Sequence, residues 1–370
     1  MKVNKLTISE YRNLAMQTLT LDSGLNVFVG NNAQGKTNLL ESVYLCCLGK
    51  SPRTDKEKEM ISWNSDQAKV VTDYSSRYGD GQIAIALSRK SKKAISVNDI
   101  PVLRIGELLG YLNCVFFSPT EIKVISETPS ERRHFLDIDL CQIDKAYYYS
   151  LIKFNKILAQ RNNLLKTATT LSALKDMLFV WDTQLAQEGA RIVLKRKNFC
   201  EQLSVFAKNA HSRLTDNEEN LVVQYLTTIS GATQAQLVED YLLQLTKSIE
   251  RDFQLRYTSV GCQRDDIGFT VNDIDIRAYG SQGQKRTCAL SLKLAELEIF
   301  KTFCGEYPIL LLDDVMSELD FKRQRQLLTF SNDLQILLTV ATPISSTLLA
   351  KVPHTTFEIC NGVAHLRTKV

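Results

Sequence analysis

Nine cysteines are present, but no two stand at C-x-x-C spacing and none clusters with histidine. Neither a zinc site nor a disulfide framework is therefore indicated, and an odd, scattered set of thiols suits a reducing compartment. The sequence opens without an apolar signal core, and no apolar run reaches membrane-spanning length, so a soluble cytoplasmic protein is expected. Charge of one sign is not in marked excess: the formal net charge is +4. Composition thus does not announce a nucleic-acid binder, and any such surface must come from local clustering. There is no internal repeat, and heptads are too few for a long coiled coil.

What is present is a 370-residue chain that is 44% hydrophobic and 23% charged, enough for a full core and about two structural units. Its organising stretch is Gly30-Asn31-Asn32-Ala33-Gln34-Gly35-Lys36-Thr37, which fits G-x-x-x-x-G-K-[ST]. The apolar run Leu25–Val29 before it reads as a buried strand. Leu39, Leu40, Val43, Tyr44, Cys47 and Leu48 after it recur at helical spacing. Gly30 and Gly35 let the backbone turn its N–H groups around phosphate oxygens, and a helix N-terminus adds positive potential. Lys36 would neutralise the β- and γ-phosphates of a nucleotide, and the Thr37 hydroxyl would hold Mg²⁺.

Residues 1–9 alternate as a half-buried strand, and Leu19–Leu21 reads as a return strand. Arg12 between them could reach a nucleotide or be solvated. Ser51–Lys56 is a polar loop suited to contacting nucleotide or DNA, as many surface loops are. Gln82–Leu87 and Ala94–Val97 read as a hairpin tipped by Arg89-Lys90-Ser91-Lys92-Lys93, either a solvated tip or a DNA phosphate contact.

From about Pro119 glycine becomes scarce and helical periodicity takes over. Tyr148, Leu151, Ile152, Asn155, Leu158 and Leu165 share one face, as do Trp181, Leu185, Ile192, Phe199, Leu203 and Phe206. Lys153, Lys156, Arg161, Lys166, Arg191, Lys195, Arg196 and Lys197 fall on the opposite, charged faces. Strand character returns with Leu255-Arg256-Tyr257 and Ile267–Val271. The expected architecture is an α/β head formed by residues 1–120 and 250–370, with residues 121–249 inserted as an all-helical domain.

Ile309–Leu312 runs into Asp313-Asp314, as a buried parallel strand does on reaching a ligand-binding edge. Asp313 would hold the metal through water, and Asp314 would position or activate an attacking water. Upstream, Ser281-Gln282-Gly283-Gln284 opens a helix carrying Ala289, Leu290, Leu292, Leu294, Leu297 and Ile299. Its backbone N–H groups and the Ser281 hydroxyl could take an anion, though a capped surface helix has the same pattern.

Phosphate loop, Ser-Gln-Gly-Gln signature, Asp-Asp strand and Ser317-Glu318-Leu319-Asp320 together resemble the ABC-type P-loop ATPase head. Phe117-Ser118-Pro119, Pro129 to Asp137, Gln160-Arg161-Asn162, Arg264-Asp265-Asp266 and Ser281 to Arg286 resemble the RecF family, covering nearly the whole chain. The resemblance implies a head with a helical lid that forms an ATP-dependent homodimer. Ser281, with Gly283 and Gln284, would then meet in trans the γ-phosphate held by the partner's loop, and Asp320 would line the interface. It further implies DNA binding at gaps or single-strand/duplex junctions, nucleoid association, RecR and RecO as partners in loading RecA, and a weak DNA-stimulated ATPase. Asp314 stands where transporter ATPases carry Glu, and Thr342 about where they carry a histidine; both departures fit slow turnover. Cys262-Gln263 replaces a commoner Pro-His. The competing readings are the nucleotide-binding subunit of a membrane transporter and a small-molecule P-loop kinase.

Overall fold

Strand Leu25–Val29 lies inside a six-stranded sheet ordered Val363–Lys369, His354–Cys360, Leu25–Val29, Ile336–Val340, Ile309–Asp313, Cys114–Phe117. All neighbours are parallel except the antiparallel edge hairpin of the last two strands in the chain. Parallel strands covered on both faces carry continuous apolar runs, as Leu310, Leu311 and Leu312 do here with at most 1% exposure. In a parallel set the C-terminal ends fall on one edge, so the residues after Val29, Asp313 and Val340 emerge together. The computed structural model describes residues 1–349 and 352–369, and the chain divides into two compact units, Met1–Glu121 with Lys293–Val370, and Ile122–Leu292.

The first unit holds this sheet and an antiparallel one ordered Gln17–Thr20, Lys2–Ser9, Gln67–Ser76, Gly79–Ser88, Ala94–Val97, Ile100–Val102. The expected N-terminal strand, its return strand and the hairpin are all present. Helix Lys36–Leu48 packs against strands of both sheets. That explains why eleven of its thirteen residues are buried where an amphipathic helix would bury one stripe.

The second unit is mostly helical: Pro129–Ile143, Lys145–Thr167, the 44-residue Leu171–Leu214, and Gln234–Leu255. It is not wholly so. Strand Leu221–Leu226 lies within 121–249 and pairs with Asp266–Val271, which in turn pairs with Ile274–Asp275. Buried Leu221 and Val223 alternate there with exposed Val222 and Gln224, an alternation of exposure that Leu-Val-Val-Gln does not display as residue types. Residue 249 falls inside helix Gln234–Leu255, and the compact unit continues to Leu292. Leu255-Arg256-Tyr257 is not a strand: Leu255 closes the helix, and Arg256 turns left-handed at φ 61° while its guanidinium donates to Leu165 O and Ala168 O.

Two expected solvated cations are interior. Arg161 is fully buried, donating to Asp182 at 2.6 Å and to Asp252 at 2.7 Å. Arg196 is 3% exposed and grips Asp137 and the Cys262 carbonyl. The buried face of Lys145–Thr167 is accordingly Tyr147, Phe154, Ile157, Arg161 and Leu165, displaced from the stripe expected through Tyr148, Ile152 and Asn155. A buried charge needs a paired, hydrogen-bonded partner, and no periodicity count reveals that the partner exists. The stripe on Leu171–Leu214 holds at Leu185, Ile192, Phe199 and Leu203, all buried.

Parts of three phrases that resemble RecF, around Arg132-Arg133, Asn162 and Asp265-Asp266, lie in this second unit. Arg132 pairs with Asp266 at 2.5 Å, Arg133 donates to Asp265 O, and Asn162 Oδ1 accepts from Thr258 N. They are framework here.

Candidate nucleotide-binding site

The loop between strand Leu25–Val29 and helix Lys36–Leu48 has the turn its glycines foretold. Gly35 sits at φ 112°, and a Cβ on it would lie 2.7 Å from Leu14 Cδ2; a Cβ on Gly30 would lie 2.5 Å from Ile359 O. The helix begins at Gly35 with no side-chain cap and no acid in its first turn. Its first N–H groups, which have no intrahelical acceptor, thus remain available to an anion.

Lys36 folds back over the loop, its ammonium donating to Gly30 O at 2.6 Å and Asn31 O at 2.9 Å. Burial pulls its pKa below the ordinary lysine value, opposed by the nearby Asp314 and Asp313 carboxylates. Asn32, Ala33, Gly35, Lys36 and Thr37 line a cavity of about 960 Å³, together with Asp313 and Asp314. Gln34 serves differently: its Oε1 accepts from Asn361 N at 2.6 Å and its carbonyl from Gly362 N at 3.1 Å. It ties the loop to the turn of the edge hairpin. Asn13 adds a second strut, donating to Ala33 O at 2.9 Å.

The expected metal pair does meet. Thr37 Oγ1 donates to Asp313 Oδ1 at 2.9 Å, and Thr339 Oγ1 donates to the same oxygen at 2.8 Å. Thr339 also receives Asp314 N, which fixes Asp314 in the left-handed region at φ 53°. Thr339 went unnoticed in the sequence, though a fully buried threonine in the run Ile-Leu-Leu-Thr-Val was a visible anomaly. A hydroxyl and a carboxylate are hard oxygen donors of the kind Mg²⁺ takes alongside phosphate and water. Among the described residues, no three His, Cys, Asp or Glu side chains converge as a metal cage.

Arg12 is neither free nor merely solvated. It makes two hydrogen bonds to Glu41, at 2.9 and 2.7 Å, and a third to Glu59 O at 2.7 Å. Glu41 itself is 1% exposed and accepts from Ser51 as well; a carboxylate amid apolar helix positions was the missed signal. Arg53, on the polar loop, lines the cavity and donates to Asn38 Oδ1. At the cationic hairpin tip Lys90 pairs with Asp66 and Lys93 with Glu57, while Arg89 donates to backbone carbonyls.

Ser281, Gly283 and Gln284 belong to the second unit, the phosphate loop and both aspartates to the first. Ser281 caps helix Gln282–Cys304 reciprocally: Gln284 N donates to Ser281 Oγ and Ser281 N to Gln284 Oε1. The Gln284 amide in turn donates to Glu219 Oε1 at 2.8 Å, and Glu219 Oε2 lies 3.0 Å from Nε2 of the buried His211. Ser281 and Gly283 are exposed. In the first unit, Asp320 caps helix Phe321–Leu328 through Arg323 N, and Thr342 is exposed after strand Ile336–Val340. No helix among the described residues is long and apolar enough to cross a membrane.

Residues 2–343 match the RecF/RecN/SMC N-terminal domain. A DNA replication and repair protein RecF of Clostridium novyi (strain NT) is 41% identical over 92% of this chain and 92% of its own. A solved structure of the recombination mediator protein RecF with ATP, in the RecFOR pathway, matches with a TM-score of 0.90. Its identity is 34%, over 99% of this chain and 97% of that one. The Smc head domain of Pyrococcus furiosus, at 16% identity over 99% of this chain and 95% of that one, shares the fold with a TM-score of 0.57. On this fold, the ABC-type ATPase head, and at these identities, the chain belongs to the RecF family.

Proposed function

We propose that the chain is an ATP-binding switch acting on DNA in replication and repair. One observation supports this above others: an uncapped helix N-terminus, the Lys36 ammonium and the Thr37–Asp313 contact all border one cavity. On binding, Lys36 exchanges the carbonyls of Gly30 and Asn31 for phosphate oxygens, and the amides from Gly35 onward receive the rest. Thr37 and Asp313 would hold Mg²⁺, which supplies positive charge against the phosphates. Asp314 orients a water for attack on the γ-phosphorus, giving ADP and phosphate. Family membership at this identity leaves no support for the transporter subunit or the metabolite kinase.

The homodimer belongs to the same reading. Ser281, with Gly283 and Gln284, reaches the γ-phosphate held by a second copy, and Asp320 lines the shared interface. Its DNA substrates are gaps and single-strand/duplex junctions, and its partners are of the RecO and RecR type. Slow hydrolysis resets the pair. Clustered Lys and Arg make DNA affinity fall with salt at about −0.9 per duplex phosphate contact in log–log form.

Calorimetry with ATP and Mg²⁺ tests the first step: binding is expected for the native protein and lost in Lys36→Met. Equal affinity in the two proteins refutes the site. Sedimentation with ATP and a gapped duplex tests the second, with Ser281→Arg expected to bind ATP yet stay monomeric. A Ser281→Arg protein that dimerises normally rules out the trans contact.

A further inference from the structure

Trp63 is 96% exposed, the most solvent-exposed large hydrophobic side chain among the described residues, and it lines the phosphate-loop cavity. Exposed apolar side chains scattered singly are ordinary. This one is carried on a turn held by two residues, Arg89 and Glu10. Arg89 donates to Ser65 O at 2.9 Å, Ser62 O at 3.1 Å and Ile61 O at 3.3 Å. Ser62 N donates to Glu10 O, and Ser65 Oγ to Glu10 Oε2. The backbone beneath the indole is therefore fixed before any ligand arrives, and little ordering remains to be lost on binding.

The cavity, at about 960 Å³, exceeds what a triphosphate fills and falls in the range of sites for whole small molecules. Beyond the loop its lining includes Ile61 and Trp63, apolar surface of no use to phosphate. It also includes Arg12, whose guanidinium plane Glu41 holds in place. An indole and a fixed guanidinium both present faces suited to a flat heteroaromatic ring.

We propose that Trp63 is the stacking surface for the nucleobase of the bound nucleoside triphosphate, with Arg89 as the residue that positions it. The proposal rests on the nucleotide reading above and adds where the base lies. It also reassigns Arg89 from the DNA contact its place in the hairpin tip suggested.

The chain has two tryptophans, so Trp181→Phe leaves Trp63 as the sole reporter. Excited at 295 nm with Mg²⁺ present, that protein should be quenched by ATP and not by inorganic tripolyphosphate, which displaces ATP without supplying a base. In the otherwise native chain, Trp63→Ala should weaken ATP about tenfold, the worth of one stacked base, and leave tripolyphosphate affinity within about twofold. Trp63→Phe should recover most of the loss. ATP that binds by calorimetry without quenching Trp63 overturns the proposal, as does equal weakening of ATP and tripolyphosphate in Trp63→Ala. Quenching by single-stranded DNA but not by ATP overturns it too. Failure of the native chain to bind tripolyphosphate would instead remove the phosphate site beneath it, a result read separately.

Discussion

Arg161 Nη1 and Asp252 Oδ2 meet at 2.7 Å with neither side chain exposed to solvent. Asp182 and Thr258 also accept from the guanidinium, and Ser259 donates to the other Asp252 oxygen. Breaking such a pair strands a charge in the interior, at a cost of about 3–5 kcal/mol. Asp252→Ala should therefore lower the urea midpoint markedly, whereas removal of the exposed Lys90–Asp66 pair should leave it nearly unchanged. Equal midpoints for the two variants would contradict the burial described.

Asp144 caps helix Lys145–Thr167, accepting from Ala146 N and Tyr147 N, and pairs with Lys195 at 2.8 Å. Burial acts to raise its pKa, but the hydrogen bonds from Lys195 and the two amides prevail and hold it below the ordinary aspartate value. A carboxylate depressed on folding contributes stability above its unfolded value and loses it as pH falls through the folded one. Asp144→Ala should be less stable than the native chain at neutral pH, and the gap should close below about pH 4. A gap in melting temperature that is constant from pH 7 to pH 3 would exclude this linkage.

Glu219 reaches Ser281 through the Gln284 side chain. Glu219→Ala removes the acceptor that holds the Gln284 amide, and the signature turn should loosen. ATP-driven self-association is expected to weaken several-fold with ATP affinity unchanged, and Glu219→Gln, which keeps an acceptor oxygen, should retain most of it. Native self-association in Glu219→Ala would show that the turn holds itself.

Gly362 stands at φ 77°, and a Cβ there would lie 2.1 Å from Asn13 O. Gly362→Ala should both destabilise the first unit and displace Gln34, whose carbonyl receives the Gly362 amide. ATP affinity should fall although the substituted residue touches no phosphate. Retention of native affinity by a variant with a lowered melting temperature would uncouple the hairpin turn from the loop.

The parts of this molecule that contiguous residues encode were legible in its sequence. The glycine spacing at 30–37, the apolar runs ending at Val29 and Asp313, and the alternation over Lys2–Ser9 each specify local backbone geometry, and each forms as read. The Thr37–Asp313 meeting was legible too, because a parallel sheet brings its strand ends to one edge. What escaped were buried polar residues whose partners lie far off: Asp252 is 91 positions from Arg161, and Asp137 is 59 from Arg196. Seen one stretch at a time, a cation between helical apolar positions is indistinguishable from a solvated one. The strand Leu221–Leu226 was lost for a related cause, since a short alternating run gains its identity only from a neighbour, here Asp266–Val271.

The tie between Gln34 and Asn361 spans 327 positions, and strand Leu25–Val29 pairs with Ile336–Val340 and His354–Cys360, both some three hundred positions later in the chain. During synthesis on the ribosome, which proceeds at roughly 5–20 residues per second, the loop at residues 30–37 is made well before the strands that support it. Until those strands are made, Gln34 lacks the partner that ties its loop to the edge hairpin. Loop and hairpin, far apart in the chain, therefore reach their joined form together.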